Sequence, residues 1–489
     1  MDLPVDATGD SPAEDGNIAC RRLADLPGPR GLPLIGNVWQ IKSLQFHQGL
    51  EAWAREFGPM YKIRVGRKPI VVISDNTLIA ALLRDRPEAI RRSSRTSRLL
   101  SELGTSGVFT SEGEEWRKQR KLVMRGLTPE VIRRFFPTMV AMTERLRRRW
   151  MAAIITGREV DVLRDLKAYA LDITIGLAMG QDINCLEHDS NPLQRDIELI
   201  FYRVARRLTA PVAYWRHFKL PADKAADAAV LRIGRSVRGF IDQTRQRLEA
   251  EPERRAKPTN MLEALLVARD EPDSGFTDDH VIGNAITMVF AGEDTTSNTI
   301  GWLLNFVARN VAVAGNIRTE ADAALGDDMV LQDFAALENF PYLDAATTEA
   351  MRLKPVAPII GFETNHEMTI GNLRAPAGTL MLACLRQAGQ QGTNFDKPNV
   401  FSPERWLDQT EGSGHRPARD DPARKLFPFG GGPRFCPGRF LALAEVKMVT
   451  AMLMRNFALT PDRDAPPIKE LFTFTMTPSA LPIKLSLRT

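Results

Sequence analysis

The chain has 489 residues and a formal net charge of +5, with 44% hydrophobic and 26% charged residues. These fractions are typical of a globular protein, and the length allows one large domain or two to four ordinary ones. The 65 lysines and arginines form no single basic tail, so the charge pattern argues against a nucleic-acid-binding protein.

The cysteines stand too far apart for a disulfide framework or a zinc site. There are four, without a Cys-x-x-Cys pair: Cys20, Cys185, Cys384 and Cys436. Cysteines used so sparingly are typical of a reducing compartment, and we expect a cytoplasmic protein.

The N-terminal segment lacks the pattern of a signal peptide or of a membrane anchor. Residues 1–25 carry several acids with scattered Gly and Pro, and no run of 18 consecutive apolar residues occurs anywhere in the chain. We therefore predict a flexible tail over residues 1–25 and a folded chain without a membrane anchor over residues 26–489.

The first regular elements follow a stiff segment rich in Pro and Gly at residues 26–36. Residues 61–74 alternate apolar and polar side chains on either side of a turn that contains Gly66, which predicts a β-hairpin. Next comes a run of four arginines spaced by Ser and Thr: Arg91, Arg92, Arg95 and Arg98. Such a run is typical of a solvated loop, and the alternative is that it holds a carboxylate-bearing substrate.

A helix is predicted to open at residues 111–116, with acids in its first turn as the helix dipole favours. Trp116 and Arg120 stand four residues apart and therefore share one face of this helix. Residues 131–257 show further helical patterns but carry no recognisable chemistry.

A second informative helix is predicted to begin after Thr277, a favourable N-cap. It is apolar nearly all round, so we expect it to be central and buried. Residues 291–296, Ala-Gly-Glu-Asp-Thr-Thr, place two acids and two threonines inside it, which is costly unless these groups are satisfied. Threonine hydroxyls can bond the carbonyl one turn back and open a local bulge, and Gly292 would let a ligand lie against the helix.

A Glu-x-x-Arg pair, Glu349 and Arg352, shares one face of a helix predicted at residues 341–352. Alone, such a pair contributes little to stability. Arg405 follows in a Pro-Glu-Arg-Trp segment, and residues 368–382 alternate and turn in the pattern of β-hairpins.

One cysteine near the C-terminus lies in a loop of glycines and prolines. The loop is Phe-Gly-Gly-Gly-Pro-Arg-Phe-Cys-Pro-Gly over residues 429–438, and an apolar helical pattern follows it. Its glycines allow a sharp turn and a close approach to a flat partner, and a helix N-terminus stabilises a thiolate. Axial ligation of haem iron needs one such thiolate, and the alternative is a buried structural cysteine.

This loop resembles the haem-binding loop of the cytochrome P-450 family, Phe-Gly-x-Gly-x-Arg-x-Cys-x-Gly, at every fixed position. The resemblance implies one domain over residues 26–489, mainly α with a small β-rich lobe, in the cytochrome P-450 fold. It implies haem b with Cys436 as the axial, metal-binding ligand and Gly438 in the same loop. Phe429 is implied to shield the sulfur side of the haem and Arg434 to bind a haem propionate.

Two of the helical motifs also match this family. Trp116 and Arg120 match a Trp-x-x-x-Arg whose two side chains contact a haem propionate. Residues 291–296 match the signature of the long helix that crosses the haem.

By that second match, Ala291 and Gly292 lie against the cofactor. Asp294 is implied to be the catalytic acid that relays protons from solvent. Thr295 is implied to be the catalytic alcohol that holds water beside dioxygen.

The remaining match is structural. Glu349, Arg352 and Arg405 correspond to a clamp behind the haem, to which the resemblance gives a folding role and no catalytic one.

The sequence departs from the family at one propionate-binding position. Many members carry Arg or His near the place of Phe362 or Glu363, but no basic residue occurs between Lys354 and His366. The role is therefore not carried over. Whether His366 or another group substitutes, or the propionate is less fully paired, stays open.

The predicted function is that of a haem-thiolate monooxygenase that hydroxylates or epoxidises a mostly apolar small organic substrate with dioxygen. Two electrons must come from outside, because the chain has no flavin domain and no iron–sulfur cysteine cluster. We expect them from NAD(P)H through a reductase and a ferredoxin or flavodoxin, which would dock on a basic face of a monomeric protein. The residues of that face flank the helix of Trp116 and Arg120 and the loop of Cys436: Arg117, Lys118, Lys121, Arg125, Lys425, Arg439 and Lys447.

Two alternatives stay open. A peroxide-driven haem peroxygenase or a dehydratase could use the same scaffold, although the intact Asp294 and Thr295 argue against it. A haem-based gas-binding protein would need a proximal histidine, and none of the six histidines has such a setting. The sequence does not identify the substrate, its oxidised position or the physiological redox partner. The soluble, bacterial type of the family fits best.

Overall fold

The computed structural model describes residues 20–188, 191–272, 274–407 and 426–488. The described residues form fifteen α-helices and eleven β-strands, which confirms the prediction of a mainly α fold with a small β-rich lobe. The helices are α1 (Phe46–Phe57), α2 (Asn76–Arg84), α3 (Ser94–Ser101), α4 (Gly113–Arg125), α5 (Pro129–Ile155), α6 (Val162–Met179), α7 (Pro192–Thr209), α8 (Pro221–Ala250), α9 (Glu253–Ala256), α10 (Met261–Asp270), α11 (Asp278–Ala308), α12 (Val311–Leu325), α13 (Pro341–Leu353), α14 (Leu385–Gly389) and α15 (Arg439–Asn456). The strands are β1 (Met60–Val65), β2 (Lys68–Ile73), β3 (Ile90–Arg92), β4 (Ile359–Thr364), β5 (Met368–Ile370), β6 (Leu373–Ala375), β7 (Leu380–Cys384), β8 (Phe457–Pro461), β9 (Glu470–Phe472), β10 (Met476–Pro478) and β11 (Ile483–Leu487).

Helix α11 runs through the helical body and packs on six other helices, α6, α8, α10, α12, α13 and α15. It begins as predicted after Thr277, whose side chain accepts a hydrogen bond from the backbone N–H of His280. Its apolar side chains are buried on several faces, and Val289, Ile300 and Leu304 have no exposed surface. A helix that is apolar nearly all round is stable only when surrounded, and α11 is therefore a rigid base for a site.

The β-rich lobe contains a five-stranded sheet in the order β1-β2-β7-β4-β3. The predicted hairpin is confirmed, because β1 pairs with β2 in antiparallel register, with Met60 opposite Ile73. Strand β7 joins β2 in parallel, and β3 pairs with β4 so that Arg92 lies opposite Phe362. The arginine-rich run therefore lies beside Phe362 and Glu363, where this chain lacks the basic residue that many family members carry.

The chain enters this lobe earlier than the sequence indicates. The backbone N–H of Arg21 donates to the carbonyl of Asn372 at 2.7 Å, and Arg374 returns a hydrogen bond to Arg21 at 2.9 Å. These bonds attach residues 20–25 to the turn of the predicted hairpin β5–β6. The rest of the predicted tail, residues 1–19, lies outside the described residues.

None of the described helices combines the length and the apolar character needed to cross a lipid bilayer.

Candidate active site

The loop that carries Cys436 is held in place from two sides. The N–H of Cys436 donates to the carbonyl of Phe429 at 2.9 Å, and Arg120 on α4 donates to the carbonyl of Phe435 at 2.6 Å. At Gly432, where φ is +61°, a Cβ atom would overlap the carbonyl oxygen of Leu83 at the end of α2. Only glycine fits both the left-handed backbone and this close approach, so the loop is fixed against the β-rich lobe.

A cavity of about 500 Å³ lies between this loop and α11. Cys436 and Phe429 line it on the loop side, and Ala291, Gly292 and Thr295 line it on the helix side. The structure therefore brings together two motifs that are far apart in the sequence. Gly438 and Arg434 from the loop, and Trp116 and Arg120 from α4, complete the set of predicted cofactor-binding residues at this cavity.

The hydroxyl of Thr295 bonds within α11, as predicted, but the helix stays regular. The hydroxyl of Thr295 donates to the carbonyl of Ala291 at 2.7 Å, while α11 continues without a break from Asp278 to Ala308. The possible local bulge is thus not formed. Gly292 lines the cavity as expected, but a Cβ atom there would also overlap the side chain of Thr174 on α6, so helix packing alone already requires glycine.

Asp294 does not face the cavity directly. Its carboxylate accepts a hydrogen bond from Asn298 at 3.0 Å and one from the hydroxyl of Thr475, which lines the cavity. Burial raises the pKa of Asp294, and the nearby ammonium of Lys167 together with these hydrogen bonds opposes the rise. Thr475 is a residue that sequence reasoning missed, since no local motif marks it.

The neighbouring acid, Glu293, is fully buried, and neither carboxylate oxygen has a hydrogen-bond partner among the described residues. Burial raises its pKa well above the ordinary value, against the attraction of Lys167 on α6. Lys167 donates to Glu198 on α7 at 2.7 Å, and the Glu198 side chain is 41% exposed. The acid pair of α11 therefore feels the charge of Lys167, which is itself paired with a partly exposed acid of α7.

The other end of the cavity is strongly cationic. The guanidinium group of Arg434 lies 4.4 Å from the centre of the Trp116 ring, donates to the carbonyl of Ser111 at 2.8 Å and contacts Glu112. Its Nε and Nη1 atoms are buried without a hydrogen-bond partner in the described chain. Burial lowers the pKa of Arg434 to about 10, although Glu112 opposes this.

Two further arginines line the same end, Arg86 after α2 and Arg92 on β3. Burial lowers the pKa of Arg86, and it lowers the pKa of Arg92 to about 9, because charged guanidinium groups lose solvation there. Nε and Nη2 of Arg86 are buried without a hydrogen-bond partner among the described residues.

The arginine-rich run is therefore only partly a solvated loop. Arg95 also lines the cavity and donates to the carbonyl of Arg207 at 3.0 Å. Arg91 instead pairs with Glu363 at 2.6 Å, and Arg98 is exposed. His366, which the sequence left open as a substitute for the missing basic residue, is exposed and does not line the cavity.

The predicted clamp is present away from the cavity. Arg352 donates to both carboxylate oxygens of Glu349 at 2.8 Å, and Arg405 donates to the same carboxylate at 3.0 Å. Trp406 adds a fourth hydrogen bond at 2.9 Å. The contacts of Arg405 and Trp406 join α13 to the segment around residue 405, which fits the predicted folding role.

The donor set of the cavity fits haem. A single thiol stands on one side, and a cluster of guanidinium groups with unused N–H donors stands at the edge, where two propionates need cations. Burial raises the pKa of the Cys436 thiol, while the Gly438 N–H and Arg120 lower it. Both opposing groups favour the thiolate form that ligates iron.

Comparison with known proteins gives the same family along nearly the whole chain. The family model described as cytochrome P-450 matches residues 26–485. The mitochondrial 25-hydroxyvitamin D-1 alpha hydroxylase of Mus musculus is 27% identical over 97% of this chain and 95% of its own length, and that of Homo sapiens is 28% identical over 92% and 90%. A self-sufficient cytochrome P-450 monooxygenase of Aspergillus kawachii is 26% identical over 95% of this chain and 43% of its own length. The chain belongs to the cytochrome P-450 family and is a haem-thiolate monooxygenase that takes electrons from NAD(P)H through a redox partner.

Proposed function

We propose that Cys436 is the haem ligand and that the enzyme hydroxylates or epoxidises a mostly apolar small organic molecule. The observation that carries this proposal is the shared cavity, because Cys436 and Thr295 line opposite sides of it. Haem bound through a thiolate supplies the cleavage of the O–O bond. The protein contributes the substrate wall, the protons and the surface at which electrons enter.

The apolar substrate is inferred from an aromatic cluster over the cavity. Phe474, between β9 and β10, stacks on Phe201 of α7 with ring centres 6.0 Å apart and meets Phe109 edge-on at 6.2 Å. Phe290 of α11 lies 5.6 Å from Phe201, and all four rings line the cavity. The backbone of Phe474 has φ of +114°, a strained value for phenylalanine that the ring contacts hold in place. Such a wall orients apolar groups and excludes water.

Two protons are needed to reduce one oxygen atom to water while the other atom enters a C–H or C=C bond of the substrate. The carboxyl group of Asp294 accepts a hydrogen bond from the hydroxyl of Thr475, and Thr295 presents a second hydroxyl to the cavity. Lys167, whose charge lowers the pKa of Asp294, pairs with the partly exposed Glu198 on the side towards the surface. These contacts support Asp294 and Thr295 as the proton-delivering residues.

The ligand assignment is tested by the difference spectrum of the dithionite-reduced protein with and without carbon monoxide. We expect a Soret band at the strongly red-shifted position of thiolate-ligated haem, and we expect Cys436→Ser to abolish it. Cys20→Ser is the matched control, because Cys20 is exposed and does not line the cavity. A band at the histidine-ligated position in fresh protein, or the same band in Cys436→Ser, would contradict the assignment.

The substrate class is tested by the spin state of the bound haem. Apolar compounds that fill the cavity should displace water and shift the Soret band, whereas polar compounds of equal size should not. Product should then form from dioxygen and NAD(P)H with a reconstituted redox chain. Product from hydrogen peroxide alone, with none from dioxygen and reductant, would favour the peroxygenase instead.

We propose that the redox partner is an acidic ferredoxin or flavodoxin that docks beside the cysteine loop. Of the seven predicted residues of the basic face, four are exposed and have no carboxylate partner in the described part of the chain: Lys118, Lys121, Arg125 and Arg439. Two other predicted members already have partners, since Arg117 contacts Glu114 and Glu88 and Lys447 pairs with Asp344. Lys425 lies outside the described residues.

This docking proposal predicts a dependence on charge and salt. Reversing Lys118, Lys121 and Arg125 to Glu should slow reduction by an acidic ferredoxin at least roughly tenfold at low salt, since charge complementarity steers association. Reduction by dithionite should be unchanged. The control carries the same reversals on exposed residues of α7 and α8: Arg206, Lys224 and Arg235. Equal rates in the two triple variants would mean that the basic face is only a solvated surface.

A further inference from the structure

One arginine at the cationic end of the cavity is buried and has no ion pair with any residue that the structure describes. Arg86 is only 4% exposed, and its Nε and Nη2 atoms are buried without a hydrogen-bond partner in the described chain. A buried cation with unused donors is costly unless an anion satisfies it. Its position in the cavity lining indicates that the anion enters with the ligand.

The place of Arg86 coincides with the position at which the sequence departs from its family. Its guanidinium carbon lies 5.2 Å from the centre of the Phe362 ring, on β4. Phe362 is one of the two residues at which a basic side chain is missing. The flat ring of Phe362 thus packs against the guanidinium group of Arg86, which belongs to the segment after α2 and not to β4.

The neighbouring arginines differ from Arg86 because each of them already has a hydrogen-bond acceptor or a carboxylate partner within the protein. Arg92 donates from Nε to the carbonyl of Phe109 at 2.9 Å and covers the Phe109 ring at 3.7 Å. Arg120 donates to the carbonyl of Phe435, and Arg434 contacts Glu112.

The charges of this group explain why anions are needed. Four guanidinium groups line this end of the cavity, and Glu112 contributes the only carboxylate in contact with any of them in the described chain. Two carboxylates brought by a ligand would reduce the excess of three positive charges to one. Haem carries two propionates, which fits this requirement.

We propose that Arg86 is a propionate-binding residue that replaces, across the ring of Phe362, the basic side chain missing from β4. The proposal rests on haem binding, which belongs to the family, and goes beyond it by naming a residue outside the matched motifs. In the haem-bound protein, Nε and Nη2 of Arg86 donate to a propionate, while Phe362 holds the guanidinium plane.

The test compares holoprotein variants by the rate of haem transfer to excess apomyoglobin, followed in the Soret band. Arg86→Met keeps the unbranched stem and removes the donors, and we expect haem loss to become roughly tenfold faster, as for one charge-assisted hydrogen bond. Arg84→Met is the matched control, since Arg84 is exposed two residues away. Its rate should stay within about twofold of the unmodified protein.

A second readout separates propionate binding from packing. Removing a cation beside the haem favours the oxidised iron, so the midpoint potential of Arg86→Met should become more negative, while that of Arg84→Met should not move. The double variant Arg86→Met, Phe362→Arg returns a guanidinium group from β4 and should recover slow haem loss and the original potential. If it does not fold, the single variants still decide.

The outcomes are distinct from those of the proposed function. Unchanged haem loss and an unchanged potential in Arg86→Met would overturn the role of Arg86, while the carbon monoxide spectrum would still report thiolate ligation. Faster haem loss with an unchanged potential would show that Arg86 only packs against Phe362, and would also overturn it. Failure of the unmodified protein to bind haem would instead remove the proposed function itself.

Discussion

The hydroxyl of Thr475, in the turn between β9 and β10, donates a hydrogen bond to the carboxylate of Asp294 in the middle of α11. Asn298, one turn further along α11, donates to the same carboxylate at 3.0 Å and to the hydroxyl of Thr477 at 3.1 Å. The C-terminal hairpin therefore touches the implied proton relay as well as the substrate cavity. A change in this hairpin should affect proton delivery even where substrate binding is preserved.

Thr475→Val removes that hydroxyl with little change of shape. Asp294 then loses its contact with the cavity side, so protons arrive more slowly and reduced dioxygen escapes as hydrogen peroxide. We expect the ratio of product to consumed NAD(P)H to fall by roughly tenfold, which is less than the roughly 10²-fold effect of losing a whole general acid, because Asp294 itself and its bond from Asn298 remain. The ratio is measured in the reconstituted system together with the peroxide released.

Thr473→Val is the matched control for this experiment. Thr473 is a buried threonine of the same hairpin whose hydroxyl contacts Thr477 at 3.0 Å and not Asp294. If both variants divide electrons between product and peroxide like the unmodified enzyme, the hairpin has no part in proton delivery.

Lys167→Met should shift the pH dependence of product formation. The ammonium of Lys167 opposes the rise that burial causes in the pKa of Asp294 and of Glu293, so its removal lets both pKa values rise further. A proton donor acts in its protonated form, and a carboxyl group with a higher pKa loses its proton only at higher pH, so the basic limb of the pH–rate profile should move to higher pH. Lys224→Met, on the exposed face of α8, should leave that limb in place. A basic limb that stays fixed in Lys167→Met would disconnect this residue from the relay.

The sequence predicts those parts of the site whose residues are neighbours in the chain. Cys436 and Arg434 share one loop, and Glu349 and Arg352 share one helix face, so local spacing already places them together. The hairpin of β1 and β2 follows from alternation in the same way. These features need no knowledge of tertiary contacts.

The site residues that sequence reasoning missed are brought to the site by contacts between segments that are distant in the chain. Arg86 reaches Phe362 because β3 and β4 pair at one end of a sheet whose strands come from both halves of the chain. The charge of Lys167 acts on Glu293 because α6 packs along α11, and Thr475 contacts Asp294 because the last hairpin folds back. Nothing in the local composition around these residues indicates such partners.

Glu349→Gln should destabilise the protein more than any surface change. Four donor groups, two on Arg352 and one each on Arg405 and Trp406, would face a neutral amide, and breaking a buried ion pair costs about 3–5 kcal/mol. Burial raises the pKa of Glu349, but these partners outweigh it and hold the pKa below 4.5. The stabilisation is therefore present above pH 4.5 and is lost as pH falls through the lowered pKa.

Denaturant titrations of the haem-loaded protein check this prediction. The difference in unfolding free energy between Glu349→Gln and the unmodified protein should be full at pH 7 and should shrink below pH 4.5. Glu338→Gln, at an exposed position, should cost less than about 0.5 kcal/mol at either pH. A difference that does not depend on pH would show that the carboxylate charge is not the stabilising feature.

Glu445 on α15 should have the opposite pH dependence. It is 1% exposed, its Oε2 atom has no hydrogen-bond partner in the described chain, and burial raises its pKa well above 4.5. The native protein therefore holds a proton that the unfolded chain releases, and stability falls as pH rises above 4.5 towards the native pKa.

Glu445→Gln removes this titration, and each tenfold difference in proton affinity is worth about 1.4 kcal/mol. The variant should thus match the unmodified protein at pH 4.5 and exceed its melting temperature at pH 8, whereas Glu253→Gln at an exposed position should track the unmodified protein throughout. A gain that is the same at both pH values would show that the titration of Glu445 is not its cause.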